Sequence, residues 1–141
     1  MKVLIDTNII LDYMLNRKPH VEQSAEIIKL CAKGELAGSI AIHTITTSLY
    51  FLQKNLSIDE TKSALRNLCS VFTVIGVDIS KIKQMLADEG FNDLEDCLQH
   101  ICAVDFGAKY IVTRNIKDFK TSKVKAVTPA EFLEIIEKEG I

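Results

Sequence analysis

The sequence has no tryptophan, only 6% aromatic residues and no net positive charge. The scarcity of aromatic side chains predicts a core built mostly from aliphatic residues. A formal net charge of −2 and a pI near 5.9 give no overall positive field that would draw the chain to nucleic acid or to an anionic membrane. Any polyanion would therefore have to bind through a local patch of the surface.

Metal-binding cysteine pairs and long apolar segments are also missing. The four cysteines include no C-x-x-C pair, so the chain lacks the usual spacing of a zinc or redox site. No apolar run approaches the roughly 20 residues that span a bilayer, and the first residues show no basic segment followed by an apolar one. We therefore expect a protein without a membrane segment, located in the cytoplasm.

The 141 residues, 48% hydrophobic and 26% charged, have the composition of an ordinary globular protein. Since typical domains contain roughly 100–200 residues, we expect a single domain that covers residues 1–141. Short apolar runs alternate along the chain with longer amphipathic segments. This alternation predicts an α/β fold in which a parallel sheet carries helices on both faces.

The pattern also gives approximate boundaries. The predicted strands are Lys2–Ile5, about Ala37–Ile42, VFTVIGV, YIVTRN and a short strand within VKAV. Ser57 and Glu60 have the spacing of a capping box at the start of one helix. Another helix, DLEDCLQHICAVDF, closes at Gly107, and its predicted apolar side consists of Leu94, Leu98, Ile101, Cys102 and Val104.

Polar side chains follow two predicted strands at the point where each strand ends. Asp6-Thr7-Asn8 follows the first strand, and Thr113-Arg114-Asn115 ends YIVTRN. In open parallel sheets, ligands bind beyond the carboxyl ends of the strands, so we expect an active site at Asp6. Taken alone, Asp6 is better explained as a helix cap. The active-site hypothesis therefore depends on further carboxylates that converge there.

Other segments supply such carboxylates. Asp93 and Asp96 are three residues apart at the head of a predicted helix, so both can project from one side of its first turn. Asp118 follows YIVTRN, with Asn115 three residues earlier. Carboxylate and amide oxygens suit Mg²⁺ or Mn²⁺, whereas no histidine and cysteine set suits zinc. A metal held by carboxylates on a parallel sheet fits phosphodiester hydrolysis.

The chain resembles the PIN domain, as found in VapC-type ribonuclease toxins. The resemblance lies in VLIDTNIILDYML near the start, in the stretch Asp93–Phe119 and in the strand-plus-helix tail, and it covers essentially the whole chain. D-T-N after a strand, E-D-x-L-Q in a helix and T-R-N-x-x-D-F after another strand are individually weak but specific together. The resemblance implies a three-layer α/β/α sandwich with a central parallel sheet. It also implies cleavage of RNA with Mg²⁺ or Mn²⁺, an antitoxin protein as partner and a homodimer.

The resemblance assigns roles to individual residues. Asp6 corresponds to the first acid, Asp96 to the acid of the helix, and Asp118 or Asn115 to the acid or amide after T-R. These four form the implied catalytic set, and the three aspartates are the implied metal ligands. Three further positions match residues that border the family's metal site: Thr7, Asn8 and Thr113.

Ser48 departs from the family pattern. The family usually has a glutamate in the helix after the second strand, and TITTSLYFLQK places Ser48 at that position. A hydroxyl can hold a water but brings no charge, so we expect weak metal binding or a site for one ion. Asp93 would replace the missing acid if it turned inward. Glu95 is a poorer replacement, because it lies about 100° around the helix from Asp96.

Three charged residues near the predicted site have less certain roles. Arg114 and Lys117 flank it and are candidates to meet phosphates; the alternative is that both are solvated, and this alternative is stronger for Lys117. For Asp12, one helical turn after Asn8, we favour a structural role, or a role next to the metal ligands, over direct metal ligation.

Two other functions remain open at this stage. A degenerate PIN domain would keep the fold and act as a non-catalytic module that binds RNA or protein, and Ser48 is the feature that favours it. Aspartyl-phosphate chemistry also uses an aspartate at the end of a strand. It needs a D-x-D motif, or a paired acid at the first strand with a lysine downstream, and D-T-N does not supply the D-x-D motif.

Overall fold

A five-stranded, all-parallel sheet forms the centre of the computed structural model, which describes residues 1–141. The strands are β1 Lys2–Ile5, β2 Ala37–Ala41, β3 Thr73–Ile75, β4 Tyr110–Val112 and β5 Lys125–Val127. Their order across the sheet is β3-β2-β1-β4-β5. The chain runs outward from β1 to β3 and then crosses back to β4 on the other side of β1. The order reverses between β1 and β4, which is where an open parallel sheet has its ligand crevice.

Seven α-helices and one 3₁₀-helix surround the sheet. The α-helices are α1 Thr7–Met14, α2 Val21–Ala32, α3 Ile42–Leu52, α4 Ile58–Val71, α5 Ile79–Ala87, α6 Leu94–Phe106 and α7 Pro129–Glu139. The 3₁₀-helix spans Ile116–Phe119, between β4 and β5. None of the helices is both long enough and apolar enough to cross a membrane.

The sheet separates two core regions, and β1 contributes to both. Val3 and Ile5 face the region that contains residues of α1, α2, α4 and α7, whereas Leu4 faces the region that contains α6 and the 3₁₀-helix. All three side chains are fully buried, as expected for a strand covered on both faces. Both regions are mostly aliphatic. The predicted three-layer α/β/α sandwich with a central parallel sheet is therefore confirmed.

Local sequence signals set several boundaries correctly. Ser57 and Glu60 form the predicted capping box of α4. Gly107 ends α6 with a φ of 74°, a left-handed conformation that glycine adopts without a steric penalty. Gly38 in β2 is required by close packing and not by a positive φ. A Cβ at this position would lie 2.7 Å from the Sγ of Cys31 and 2.9 Å from the ring of Phe72. Helices α2 and α4 thus pack closely over this strand.

The predictions fail at several element ends. β4 ends at Val112, so the polar residues of YIVTRN lie beyond the strand and lead into the unpredicted 3₁₀-helix. α3 begins at Ile42, which was predicted as strand. Leu94 and Val104 were predicted on the apolar side of α6 but are 53% and 46% exposed. Both lie in the terminal turns of α6, whereas its buried residues lie between Cys97 and Ala103.

Candidate active site

Asp6 lies at the carboxyl end of β1, where it is the N-cap of α1 and only 5% exposed. Its Oδ1 accepts hydrogen bonds from the backbone N–H of Thr7 at 2.8 Å and from Nε2 of Gln99 at 3.0 Å. Its Oδ2 accepts from Oγ1 of Thr113 at 2.7 Å and from Nδ2 of Asn8 at 3.2 Å. A helix cap needs only one of these four donors. Asp6 is therefore also the centre of a network that joins separate parts of the chain.

Gln99 ties α6 to this network. Its side chain is 1% exposed, and its Nε2 also lies 3.0 Å from Oγ1 of Thr7 and 3.4 Å from Oγ1 of Thr44. The hydroxyls of Thr7 and Thr44 share a hydrogen bond of 2.8 Å. The sequence alone gives no role to Gln99 or Thr44. A signal was present for Gln99: it is the amide of E-D-x-L-Q, three residues after Asp96 and among apolar neighbours.

Thr113 orients Asp6 from the other side. Its side chain is fully buried, donates to Oδ2 of Asp6, and accepts a hydrogen bond of 3.0 Å from the backbone N–H of Asn115. The side chain of Asn115 is exposed and makes no hydrogen bond, and Asp118 is exposed in the 3₁₀-helix. The residues after β1 and after β4 thus meet at one edge of the sheet, as the sequence predicted.

Carboxyl groups converge on Asp96 in the first turn of α6. Partial burial, and then the charges of four neighbouring acids, raise the pKa of Asp96 to about 7. These neighbours are Asp6, Asp93, Asp118 and Glu95. None of the five forms an ion pair with lysine or arginine. We term the five residues the acidic pocket, and its negative charge has no basic partner in the chain.

Asp93 and Glu95 are the two members of the acidic pocket that the sequence offers as replacements for the missing acid. Asp93 is the N-cap of α6, and its Oδ1 accepts the backbone N–H groups of Glu95 and Asp96 at 2.9 and 3.1 Å. Its Oδ2 makes no hydrogen bond. Burial, Asp93 and Asp6, in that order, raise the pKa of Glu95. Glu95 therefore lies close enough to share the field of the pocket, although the helical period made it a poor candidate.

Comparisons with known proteins agree with the motifs. A family model described as PIN domain matches residues 2–117. Over 140 residues, the chain is 31% identical to Ribonuclease VapC1 of Aquifex aeolicus, and the alignment covers 94% of each protein. The chain belongs to the PIN domain family.

Solved structures show the same fold. A chain of a toxin-antitoxin complex from Klebsiella pneumoniae superposes on this PIN domain with a TM-score of 0.68 at 21% identity, over 90% of this chain and 97% of that chain. A chain of VapBC2 from Rickettsia felis, bound to a DNA fragment from its promoter, gives a TM-score of 0.64 at 20% identity, over 91% and 98%. At this level of identity the likeness shows the fold alone.

Ser48 occupies an unusual position in this PIN domain. Its side chain is fully buried on α3, one turn after Thr44, and its Oγ has no hydrogen-bond partner. A buried hydroxyl without a hydrogen-bond partner lowers the stability of the fold. A stabilising contact therefore does not explain why a serine stands at position 48. The Oε1 of Gln99 is also buried without a partner.

Arg114 forms an ion pair with Asp12 that the sequence did not predict. Its Nε and Nη2 donate to the two carboxylate oxygens of Asp12, at 2.6 and 3.1 Å. Asp12 is fully buried, and a buried carboxylate requires a paired cation. The guanidinium is therefore held by Asp12 through two of its three nitrogens, and a contact with phosphate stays a prediction. This ion pair gives Asp12 a structural role, which is one of the two roles that the sequence predicted.

The acidic pocket fits a hard divalent cation in its donor chemistry. It offers carboxylate oxygens, with the hydroxyl of Thr113 and the amide of Asn115 nearby, and contains no competing ammonium or guanidinium group. No three acidic, histidine or cysteine side chains lie in an arrangement that could hold a metal ion between them. Mg²⁺ usually binds proteins through one or two carboxylates and keeps several waters, so an open pocket of this kind suits it.

Proposed function

We propose that this PIN domain is a metal-dependent endoribonuclease of the VapC toxin type, which hydrolyses RNA phosphodiester bonds with Mg²⁺ or Mn²⁺. The observation that carries the proposal is the acidic pocket at the reversal of strand order, where burial and then the charges of four neighbouring acids raise the pKa of Asp96 to about 7. The relation to Ribonuclease VapC1 over nearly the whole chain supports the same activity.

Asp6, Asp96 and Asp118 would hold the ion, with Asn115 beside them. When bound, such an ion polarises a phosphoryl oxygen and lowers the pKa of water. The chain's own contribution is to hold the ligands in place before substrate arrives. Thr113 and Gln99 fix the two oxygens of Asp6 from opposite sides, so this carboxylate cannot rotate freely.

Several surrounding residues would complete the site. The backbone N–H of Thr7 and the side-chain amide of Asn8 donate further hydrogen bonds to Asp6. Asp93 and Glu95 add negative charge without an obvious ligand position, since Oδ1 of Asp93 is engaged at the start of α6. Ser48 supplies a hydroxyl where the family usually has an acid, so we infer a site for one ion.

An antitoxin protein is the proposed partner, since two structural relatives are a toxin-antitoxin complex and a VapBC complex. We also propose RNA as substrate, a homodimer and a cytoplasmic location, as the sequence analysis expected.

Two alternatives predict different behaviour. A degenerate PIN domain would bind RNA or protein without cleaving it, and only Ser48 favours this function. Aspartyl-phosphate chemistry would need a free oxygen on Asp6 as nucleophile. It is less suitable here, because D-T-N does not supply the D-x-D motif that this chemistry uses.

The test is an RNA cleavage assay with the purified chain in Mn²⁺ and in EDTA. We expect cleavage only with Mn²⁺, and we expect Asp96→Asn and Asp118→Asn to abolish it while circular dichroism shows an intact fold. Asp59→Asn, at an exposed position of α4, is the control and should remain active. RNA binding without cleavage by the wild type would identify the non-catalytic module instead.

A further inference from the structure

A surface of opposite charge lies beside the acidic pocket. The 3₁₀-helix and the segment that leads into β5 form a groove of about 520 Å³. Its floor includes the buried side chains of Phe119 and Val124. Four lysines line it: Lys117, Lys120, Lys123 and Lys125. We term this surface the lysine groove.

The lysines of the lysine groove form no ion pairs with acids of the chain. Residues 114–125 contain five of the 17 basic residues of the chain and only one of its 19 acidic residues, Asp118. All four lysines of the groove are exposed, and none of them forms an ion pair. In a chain with a formal net charge of −2, the groove is therefore the kind of local patch that a polyanion requires.

The groove is held in a fixed position relative to the acidic pocket. The backbone N–H of Lys123 donates a 3.3 Å hydrogen bond to Nε2 of His100, which lies one turn along α6 from Asp96. The hydroxyl of Thr121 donates to the carbonyl of Gly90 at 3.0 Å. The end of the segment joins the sheet, where β5 pairs with β4. The lysines thus project from an anchored backbone rather than from a free loop.

The two charged surfaces adjoin each other. Lys117 and Asp118 are consecutive residues of the 3₁₀-helix, and the charge of Asp118 contributes to the raised pKa of Asp96. A single-stranded polyanion with regularly spaced phosphates can therefore place one phosphate at the acidic pocket with its cation and the next ones at the lysines. Lysine ammonium groups act as point charges and contact phosphates without reading sequence.

We propose that the lysine groove binds the phosphate backbone of single-stranded RNA, on one side of the phosphate that enters the acidic pocket. This inference rests on the proposed ribonuclease function for the identity of the polyanion. It assigns to Lys120, Lys123 and Lys125 a role in holding substrate that is independent of the bound cation.

The test measures binding in EDTA, so that cleavage does not interfere. A short fluorescein-labelled oligouridylate is titrated with wild type and with the triple variant Lys120→Gln/Lys123→Gln/Lys125→Gln, at several salt concentrations between about 50 and 200 mM. The matched control is Lys33→Gln/Lys62→Gln/Lys138→Gln, at exposed and unpaired positions on α4, on α7 and at the end of α2. Both triples change the formal net charge from −2 to −5.

The expected result is specific to the groove. Each phosphate contact to a single strand contributes about 0.7 to the slope of log K against log salt concentration, so the groove triple should reduce that slope by about 2. The control triple should leave it unchanged. Single Lys→Gln variants, each expected to reduce the slope by about 0.7, give the same information if the triple does not fold.

Equal slopes for the two triples would overturn the proposal. The proposal would also be overturned if the groove triple lost binding to a labelled polyglutamate peptide while its RNA binding was unchanged. The groove would then be a site for an acidic polypeptide. The proposed nuclease function is tested separately by the Asp96→Asn and Asp118→Asn assays. If those variants lose cleavage but the two triples have equal salt slopes, only the proposal for the lysine groove is rejected. If the groove triple alone has a reduced salt slope but the wild type does not cleave RNA, only the nuclease proposal is rejected.

Discussion

Nε2 of Gln99 on α6 lies 3.0 Å from Oδ1 of Asp6 at the end of β1, and both side chains are buried. Burial raises the pKa of Asp6, while the hydrogen bonds from Thr113, Thr7 and Gln99 act in the opposite direction. Gln99 thus helps a buried carboxylate to remain charged, and it fixes the distance between the helix that carries Asp96 and the end of the first strand.

Replacement of Gln99 by leucine tests this role. Gln99→Leu should destabilise the fold by about 1–2 kcal/mol, because the lost donors to a buried carboxylate outweigh the removal of the unpaired Oε1. Urea unfolding measures the difference. Gln84→Leu, at an exposed position of α5, is the control and should change stability by less than about 0.5 kcal/mol. Equal stability of Gln99→Leu and wild type would show that Asp6 does not depend on this amide.

The pair of Arg114 and Asp12 leads to a second prediction. Arg114→Leu leaves the fully buried Asp12 with only Arg17, at 3.9 Å, and should cost about 2 kcal/mol. The double variant Asp12→Leu/Arg114→Leu should be less destabilised than the sum of the two single variants, because it leaves no unpaired buried charge. Arg66→Leu, an exposed position, serves as the control in the same unfolding experiment. Additive effects of the two substitutions would contradict the assignment.

Asp96 should make stability depend on pH in a defined direction. Its pKa is about 7 in the folded chain and about 3.9 in an unfolded chain, so the folded state holds a proton that the unfolded state has already released. The stability that this proton provides is present below about pH 4 and is lost as the pH rises through 7.

Asp96→Asn cannot ionise and should escape this loss. In EDTA, the Tm of the variant should rise relative to that of wild type between about pH 5 and 8. Thermal unfolding at several pH values measures the difference, with Asp59→Asn as a variant whose difference should stay constant. A Tm difference for Asp96→Asn that does not grow with pH would mean that the pKa of Asp96 is not raised in the folded chain.

Ser48 can be examined by restoring the acid of the family pattern. We expect Ser48→Glu to bind Mn²⁺ more tightly than wild type and to be stabilised more by Mn²⁺ in thermal unfolding, because a carboxylate adds charge at the pocket. In EDTA it should be less stable than wild type, since a larger, charged side chain enters a fully buried position. Ser48→Gln has the same size without the charge. If Ser48→Glu and Ser48→Gln respond equally to Mn²⁺, position 48 does not contribute to the metal site.

The sequence predicts those features whose signal is local. The strand Lys2–Ile5 is an apolar run ended by an aspartate, and the capping box of Ser57 and Glu60 spans four residues. The parallel α/β sandwich follows from the alternation of such elements. The position of Asp6 at the site also follows, because the carboxyl ends of parallel strands lie at one edge.

The features that the sequence does not predict depend on pairs that are distant along the chain. Arg114 pairs with Asp12 across 102 positions, and Gln99 bonds Asp6 across 93. No periodicity links such residues, and their pairing follows only from the packing of α1 and α6 at the edge of the sheet. The same holds for the lysine groove, whose charges are visible in the sequence but whose concave shape depends on how the 3₁₀-helix sits against β5.

Titration of the purified chain with Mn²⁺, followed by electron paramagnetic resonance of the free ion, tests most directly whether the acidic pocket captures a divalent cation. Saturable binding of a single ion is the predicted result, with affinity reduced about tenfold or more, at least about 1.4 kcal/mol, in Asp96→Asn and in Asp118→Asn but unchanged in Asp59→Asn. Absence of saturable binding in wild type, or equal affinity in all four proteins, would contradict it.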